Sequence, residues 1–184
     1  PLTEESPLGD NHRVMMPTYS LCKIAAEAVA RTQARLLNLP TVIARFSVPY
    51  GDNGGWPWYH LMMMKEGISI PVHEDGPCYY NLIHEDDYIE MIPALLAQAS
   101  VPTTIMNWGG SAATSIEEWC AYLSELTGIE AKFTRSQNAL KSLPVDTTLM
   151  DDRIGPTRTG WKEGIQRMVE ARNPELLLKQ EDRS

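Results

Sequence analysis

The first sustained pattern along the chain is helical. From Tyr19 to about Leu37 a stripe runs at helical spacing through Leu21, Ile24, Ala25, Ala28, Thr32 and Leu36, in a stretch rich in Ala, Leu and Arg. Thr18, after Pro17, is placed to cap that helix, and Asn38-Leu39-Pro40 ends it. Thr41–Phe46 follows at once, short and partly β-branched, as a buried strand would be. Helix, tight turn and buried strand make half of a βαβ unit.

Beyond it, Ser47–Gly55 reads as a long loop at the carboxyl end of a strand, where open parallel sheets build their sites. Trp56 to Lys65 is predicted helical, with Trp58, Leu61, Met62 and Met64 inward and the three methionines filling core. Ile68–Val72 and Tyr79–Ile83 read as strands, with a turn over His73–Pro77 between them. Glu85-Asp86-Asp87 opens a helix to about Ala99, which Pro93 should kink or shorten. Thr103–Trp108 is a further strand, ended by Gly109-Gly110. Thr114 and Glu117 suggest a capping box for a helix whose inner face is Ile116, Trp119, Cys120, Leu123 and Leu126, closed at Gly128. Ile129, Ala131 and Phe133 alternate as in a strand, 134–160 shows no clear pattern, and Trp161–Ala171 is helical. The polar run 172–184 is expected to fray. No repeat or linker intervenes, so 1–184 is predicted to be one compact α/β piece.

Composition narrows the classes. At 184 residues, with 43% hydrophobic and 22% charged residues, the chain can bury a core. A net charge of −8 argues against nucleic acid or an anionic membrane surface as partner. No apolar run reaches membrane-spanning length, and no signal-peptide pattern opens the sequence. Cys22, Cys78 and Cys120 are odd in number and far apart, which suits a reducing, cytoplasmic setting and matches no metal spacing. The chain opens on Pro1 with a polar, turn-rich segment that reads as a loop entering a helix, so a longer parent protein is expected.

The candidate chemistry begins at Tyr19. Lys23 lies four residues on, which places both side chains on one helix face, one turn apart. A lysine ammonium beside a phenol favours the phenolate, giving a proton donor and acceptor usable near neutral pH. His73-Glu74-Asp75 and His84-Glu85-Asp86-Asp87 are ligand-type clusters, but neither has the spacing of a helical zinc motif. They read as a polar turn and a dipole-complementing helix start, and no metal is expected. Trp56, Trp58, Tyr59, Tyr79 and Tyr80 could line an aromatic pocket, or could be ordinary core and surface aromatics.

Four features stand in a fixed order: Tyr19-Ser-Leu-Cys-Lys23 with Glu27, Arg45-Phe-Ser-Val-Pro-Tyr-Gly51, Leu82-Ile-His-Glu-Asp-Asp87, and Gly160-Trp-Lys-Glu-Gly164. Together they resemble the C-terminal half of the extended short-chain dehydrogenase/reductase superfamily, the NAD-dependent epimerase/dehydratase family. The resemblance implies the C-terminal part of a Rossmann-type doubly wound parallel sheet plus a small α/β substrate-binding region. It implies Tyr19 as catalytic acid/base and Lys23 as its partner, both also touching the cofactor, NAD or NADP. Phe46, Ser47 and Val48 would lie along the nicotinamide, and Ser47, Tyr50, Trp58 and Tyr80 on the substrate side. The implied substrate is sugar-like or a small carbonyl or hydroxyl compound. Homodimers are common in the family, so a homo-oligomer is expected.

The chain also departs from the pattern. It contains no Gly-rich strand-to-helix fingerprint for a pyrophosphate, and nothing in 1–18 matches the family's upstream serine or threonine. Ser47 stands where the family often has Asn, and Tyr79-Tyr80-Asn81 where many nucleotide-sugar members carry an arginine. These 184 residues alone are therefore expected to be inactive, with an unpaired sheet edge that favours self-association. The alternative is a non-catalytic dinucleotide-sensing module of the same fold.

Overall fold

The computed structural model describes residues 1–10, 12, 14 and 16–179. In order these form α1 (Tyr19–Leu36), β1 (Val42–Phe46), β2 (Val48–Gly51), β3 (Gly54–Gly55), α2 (Trp56–Lys65), β4 (Ile70–Val72), β5 (Tyr79–Tyr80), β6 (Leu82–His84), α3 (Glu85–Leu96), β7 (Thr104–Trp108), β8 (Thr114–Ser115), α4 (Ile116–Thr127), β9 (Phe133–Arg135), α5 (Thr148–Ile154) and α6 (Trp161–Arg172). Among the described residues no helix is long and apolar enough to cross a membrane.

β1 and β7 pair in parallel, from Val42 opposite Thr104 to Phe46 opposite Trp108. Alternation along the strands sends their side chains to opposite faces. Val42, Ala44, Met106 and Trp108 join Ile83, Met91, Leu95 and Met150 in a core under α3 and α5. On the other face Arg45 reaches α1, where Nε and Nη2 hold Glu27 at 3.0 and 2.8 Å. The larger core lies in the second region. There α2, α4 and α6 pack Leu61, Met64, Trp119, Leu123, Ile165 and Met168 against short strands. β2 is parallel to β6 and antiparallel to β3, β4 is parallel to β9, and β5 is antiparallel to β8. This is the expected α/β plan, part of a parallel sheet plus a smaller α/β region.

Several local expectations are corrected. The inner face of α1 is Ser20, Ile24, Glu27, Ala30 and Ala34, whereas Leu21, Ala25, Ala28, Thr32 and Leu36 are exposed. The bidentate bond between Glu27 and Arg45 turns that face inward despite its smaller apolar content. Thr18 makes no side-chain cap bond. The stretch Ser47–Gly55 is not a plain loop, because β2 and β3 pair within it. Gly55 makes this possible, with φ at +121° and a Cβ position that would fall 2.8 Å from the Pro49 carbonyl oxygen. The strand at Tyr79–Ile83 breaks at Asn81, whose side chain donates to the Gly110 carbonyl and accepts from Val145 N–H, each at 2.8 Å. Pro93 sits within α3 without ending it. The capping box is Ser115 with Glu118, one residue later than expected, since Glu117 accepts from Cys78 N–H instead. The strand near Phe133 is β9, exposed throughout. Residues 180–184 of the polar tail lie outside the described residues.

Within the larger core, Trp119 Nε1 donates to His60 Nδ1 at 2.9 Å, with the two rings stacked at 5.7 Å. Burial pushes the His60 pKa down from an ordinary 6.5 to about 4. Its neutral form therefore supports the fold fully above pH 6.5, and that support is lost as pH falls from 6.5 through 4. The loss amounts to about 3 kcal/mol. Urea denaturation of wild type and of His60→Gln, which keeps an acceptor for the indole, checks this. The variant should show a flatter pH dependence across that window, and equal slopes would refute it.

Candidate functional site

An open trough of about 670 Å³ lies between the segment that leads into α1, α1 itself and β1. The segment is fixed by backbone chemistry. Leu2 bridges to Val145, the Glu4 carbonyl accepts from Arg45 Nη1 at 2.6 Å, and Glu4 Oε1 accepts from Asn107 N–H at 2.7 Å. The Arg45 guanidinium, bonded to Glu27, holds that carboxyl below its usual range and is itself raised by it. α1 is thereby pinned to β1 two turns below its start.

Tyr19 is the first residue of α1 and is 44% exposed. Lys23 Nζ sits 5.5 Å from the centre of its ring, as their one-turn spacing requires. Both line the trough, together with Phe46 and Ser47 at the carboxyl end of β1. Ser47 N–H donates to the Trp108 carbonyl at 2.8 Å and so continues the β1–β7 ladder by one residue. The Phe46 ring meets Trp108 at 5.0 Å and Tyr88 edge-on at 5.2 Å. Tyr19, Lys23, Phe46 and Ser47 are thus brought together.

The other sequence-predicted site residues are placed elsewhere. Val48 packs against the larger core. Tyr50 is buried, its ring edge-on to His84, and its hydroxyl donates to the Trp161 carbonyl at 3.4 Å. Tyr80 is buried and donates to the Lys141 carbonyl at 2.6 Å. Burial pushes both phenols up. Trp58 donates to Asn173 Oδ1 at 3.0 Å and carries the Arg172 guanidinium on its ring. None of these four lines the trough.

The two His-containing clusters share one local device. His73 Nδ1 accepts from Asp75 N–H at 3.1 Å, and His84 Nδ1 from Asp86 N–H at 3.2 Å. Each imidazole caps its own turn, and His84 is the N-cap of α3. Asp86 is held below its usual range by Arg167, which bonds it at 2.7 Å. Asp87, which is buried, accepts from the Arg158 and Thr159 N–H groups at 2.9 and 3.1 Å. Among the described residues no group of three or more His, Cys, Asp or Glu is disposed to hold a metal.

Sequence reasoning missed His12. Its ring lies 4.7 Å from that of Tyr19, and its Nδ1 is 2.8 Å from Ser20 Oγ. The contact is made across the loop before α1, where no helical or strand spacing could signal it.

The model of a family described as the NAD dependent epimerase/dehydratase family matches residues 2–109. An uncharacterised 37.6 kDa protein in the cld 5′ region of Escherichia coli O111:H- is 27% identical over 91% of this chain. The chain spans 58% of that relative's length. Among solved structures, MoeE5 in complex with UDP-glucuronic acid and NAD is 22% identical with a TM-score of 0.73, covering 95% of this chain and 60% of its own. A dTDP-glucose 4,6-dehydratase from Bacillus anthracis in complex with NAD is 21% identical with a TM-score of 0.74, covering 96% and 57%. At these identities the likeness carries the Rossmann-type fold.

Proposed function

Because this chain belongs to the NAD dependent epimerase/dehydratase family, we propose that it supplies the acid/base half of an NAD(P)-dependent site acting on a sugar-like substrate. The observation that carries the reading is the shared trough of Tyr19, Lys23, Phe46 and Ser47 at the carboxyl end of a parallel strand. That is where doubly wound sheets bind their ligands. The trough fits the nicotinamide–ribose end of a dinucleotide. It offers a phenol and an ammonium one turn apart, an apolar strand end and an open side. Lys23 and Tyr19 would hold the ribose hydroxyls, and Phe46 and Ser47 would flank the ring. A Gly-rich pyrophosphate turn is absent from this sequence, so turnover belongs to the full-length protein.

When bound, NAD or NADP supplies hydride acceptance and donation. Tyr19 does the proton work. As phenolate it would take the proton of a substrate hydroxyl, and as phenol it would return a proton to a carbonyl oxygen. Lys23 places its ammonium 5.5 Å from the centre of the Tyr19 ring, on the same side of the trough. Glu27 and Arg45 hold α1 on β1, so that both groups stay at the strand end. MoeE5 is solved with UDP-glucuronic acid and with UDP-glucose, and the Bacillus anthracis relative is a dTDP-glucose 4,6-dehydratase, so UDP-glucose and dTDP-glucose are the first substrates to try.

The test is turnover of those sugars by the full-length protein, followed by Lys23→Met. Losing a charge-assisted contact should weaken NAD binding by about tenfold to a hundredfold in titration calorimetry. Unchanged NAD affinity in Lys23→Met would remove the nicotinamide-end assignment of the trough. An NAD complex that forms normally but turns over no sugar would favour the dinucleotide-sensing reading.

A further inference from the structure

We propose that His12 is a positioning residue that fixes the ring of Tyr19 in the trough. The inference rests on Tyr19 as the acid/base of this site and adds a residue that the Tyr–Lys pattern does not contain.

Tyr19 stands at the first position of α1, so it has no preceding helical turn to pack on. The cap before it, Thr18, contributes no side-chain bond. A phenol in that place, 44% exposed, is free to change rotamer unless something outside the helix holds it. His12 meets the requirement with three contacts. Its ring lies 4.7 Å from the Tyr19 ring at a tilt of 56°. Its Nδ1 is 2.8 Å from Oγ of Ser20, a residue only 7% exposed. Its carbonyl accepts from Met16 N–H at 3.0 Å, and the Met16 carbonyl accepts from Tyr19 N–H at 2.9 Å. The residue is therefore tethered twice, its ring to the helix through Ser20 and its carbonyl to Met16 N–H. Lys23 bears on the same phenol from the next turn of α1. Proton transfer depends on placing the phenolic oxygen within a fraction of an ångström, which makes such a tether consequential for rate.

The experiment uses the full-length protein with ring-labelled tyrosine, the Tyr19 resonance being identified by its loss in Tyr19→Phe. The imidazole ring, 4.7 Å away, should displace that resonance by its ring current from the position of a freely rotating exposed tyrosine. In His12→Gln it should move back toward that position. Kinetics with NAD and UDP-glucose or dTDP-glucose give the second readout. His12→Gln should lower kcat by about tenfold or more with KM nearly unchanged. His12→Phe, which restores a ring against the phenol, should recover part of it.

A Tyr19 signal at the same position in wild type and in His12→Gln overturns the proposal. So does a His12→Gln enzyme with wild-type kcat beside an inactive Tyr19→Phe enzyme. Full turnover in Tyr19→Phe overturns the acid/base reading itself, and the His12 proposal with it.

Discussion

Tyr19→Phe in the full-length protein is expected to lower turnover by at least about a hundredfold, the lower end of what a positioned acid/base contributes. The substitution removes one oxygen and its proton. It leaves the ring contact with His12 and the neighbouring Lys23 ammonium in place, so the trough keeps its shape. NAD binding should weaken by less than about tenfold, the worth of one hydrogen bond. The two readouts separate the roles. A large loss of kcat with near-normal NAD affinity places Tyr19 in the chemical step. A parallel loss of both would mean that the phenol mainly binds. Full turnover would end the assignment, because no other phenol lines the trough among the described residues.

The second large effect concerns stability. Trp119→Ala should destabilise the fold by about 3–5 kcal/mol, a large share of the roughly 5–15 kcal/mol that holds typical proteins folded. Trp119 has no exposed surface and is packed with Trp56, Tyr80 and His60 at ring distances of 5.9, 6.4 and 5.7 Å. Truncation opens a cavity where the side chains of α2 and α4 meet. It also takes the indole donor from His60 Nδ1 and leaves that nitrogen only the Cys120 thiol at 3.9 Å, a weak partner. Urea denaturation would show a midpoint shifted far to lower concentration with a similar slope. A shift below about 1 kcal/mol would mean that the indole is not the keystone of this core.

What the sequence disclosed, it disclosed through local spacing. Tyr19 and Lys23 meet because both lie on one helix, and the inner face of α4 follows from its 3.6-residue period. The misreadings arise where a distant partner decides between local options. Thr114 and Ser115 can both cap α4, and Glu117 and Glu118 can both complete the box. The Cys78 N–H, 39 residues away, engages Glu117 and leaves Glu118 for the cap. Counting apolar residues on α1 selects the face of Leu21 and Leu36, while the charge pair with Arg45 selects that of Glu27. The Gly54-Gly55 pairing with Tyr50-Gly51 depends on backbone approach, which composition does not express. His12 reaches Tyr19 through a loop, so its part in the trough has no periodic trace.

Ser47 is the single residue between two sheets. Phe46 is paired with Trp108 on one side of it and Val48 with Leu82 on the other. A junction that short has no slack. A twist of the second region about this point must reach the end of β1 directly, and with it the floor of the trough. The corner therefore couples the register of β2 and β6 to that of β1 and β7. Hydrogen exchange at Ser47 and Val48, whose amides donate to the Trp108 and Asn81 carbonyls, would report ligand occupancy on either side of the joint.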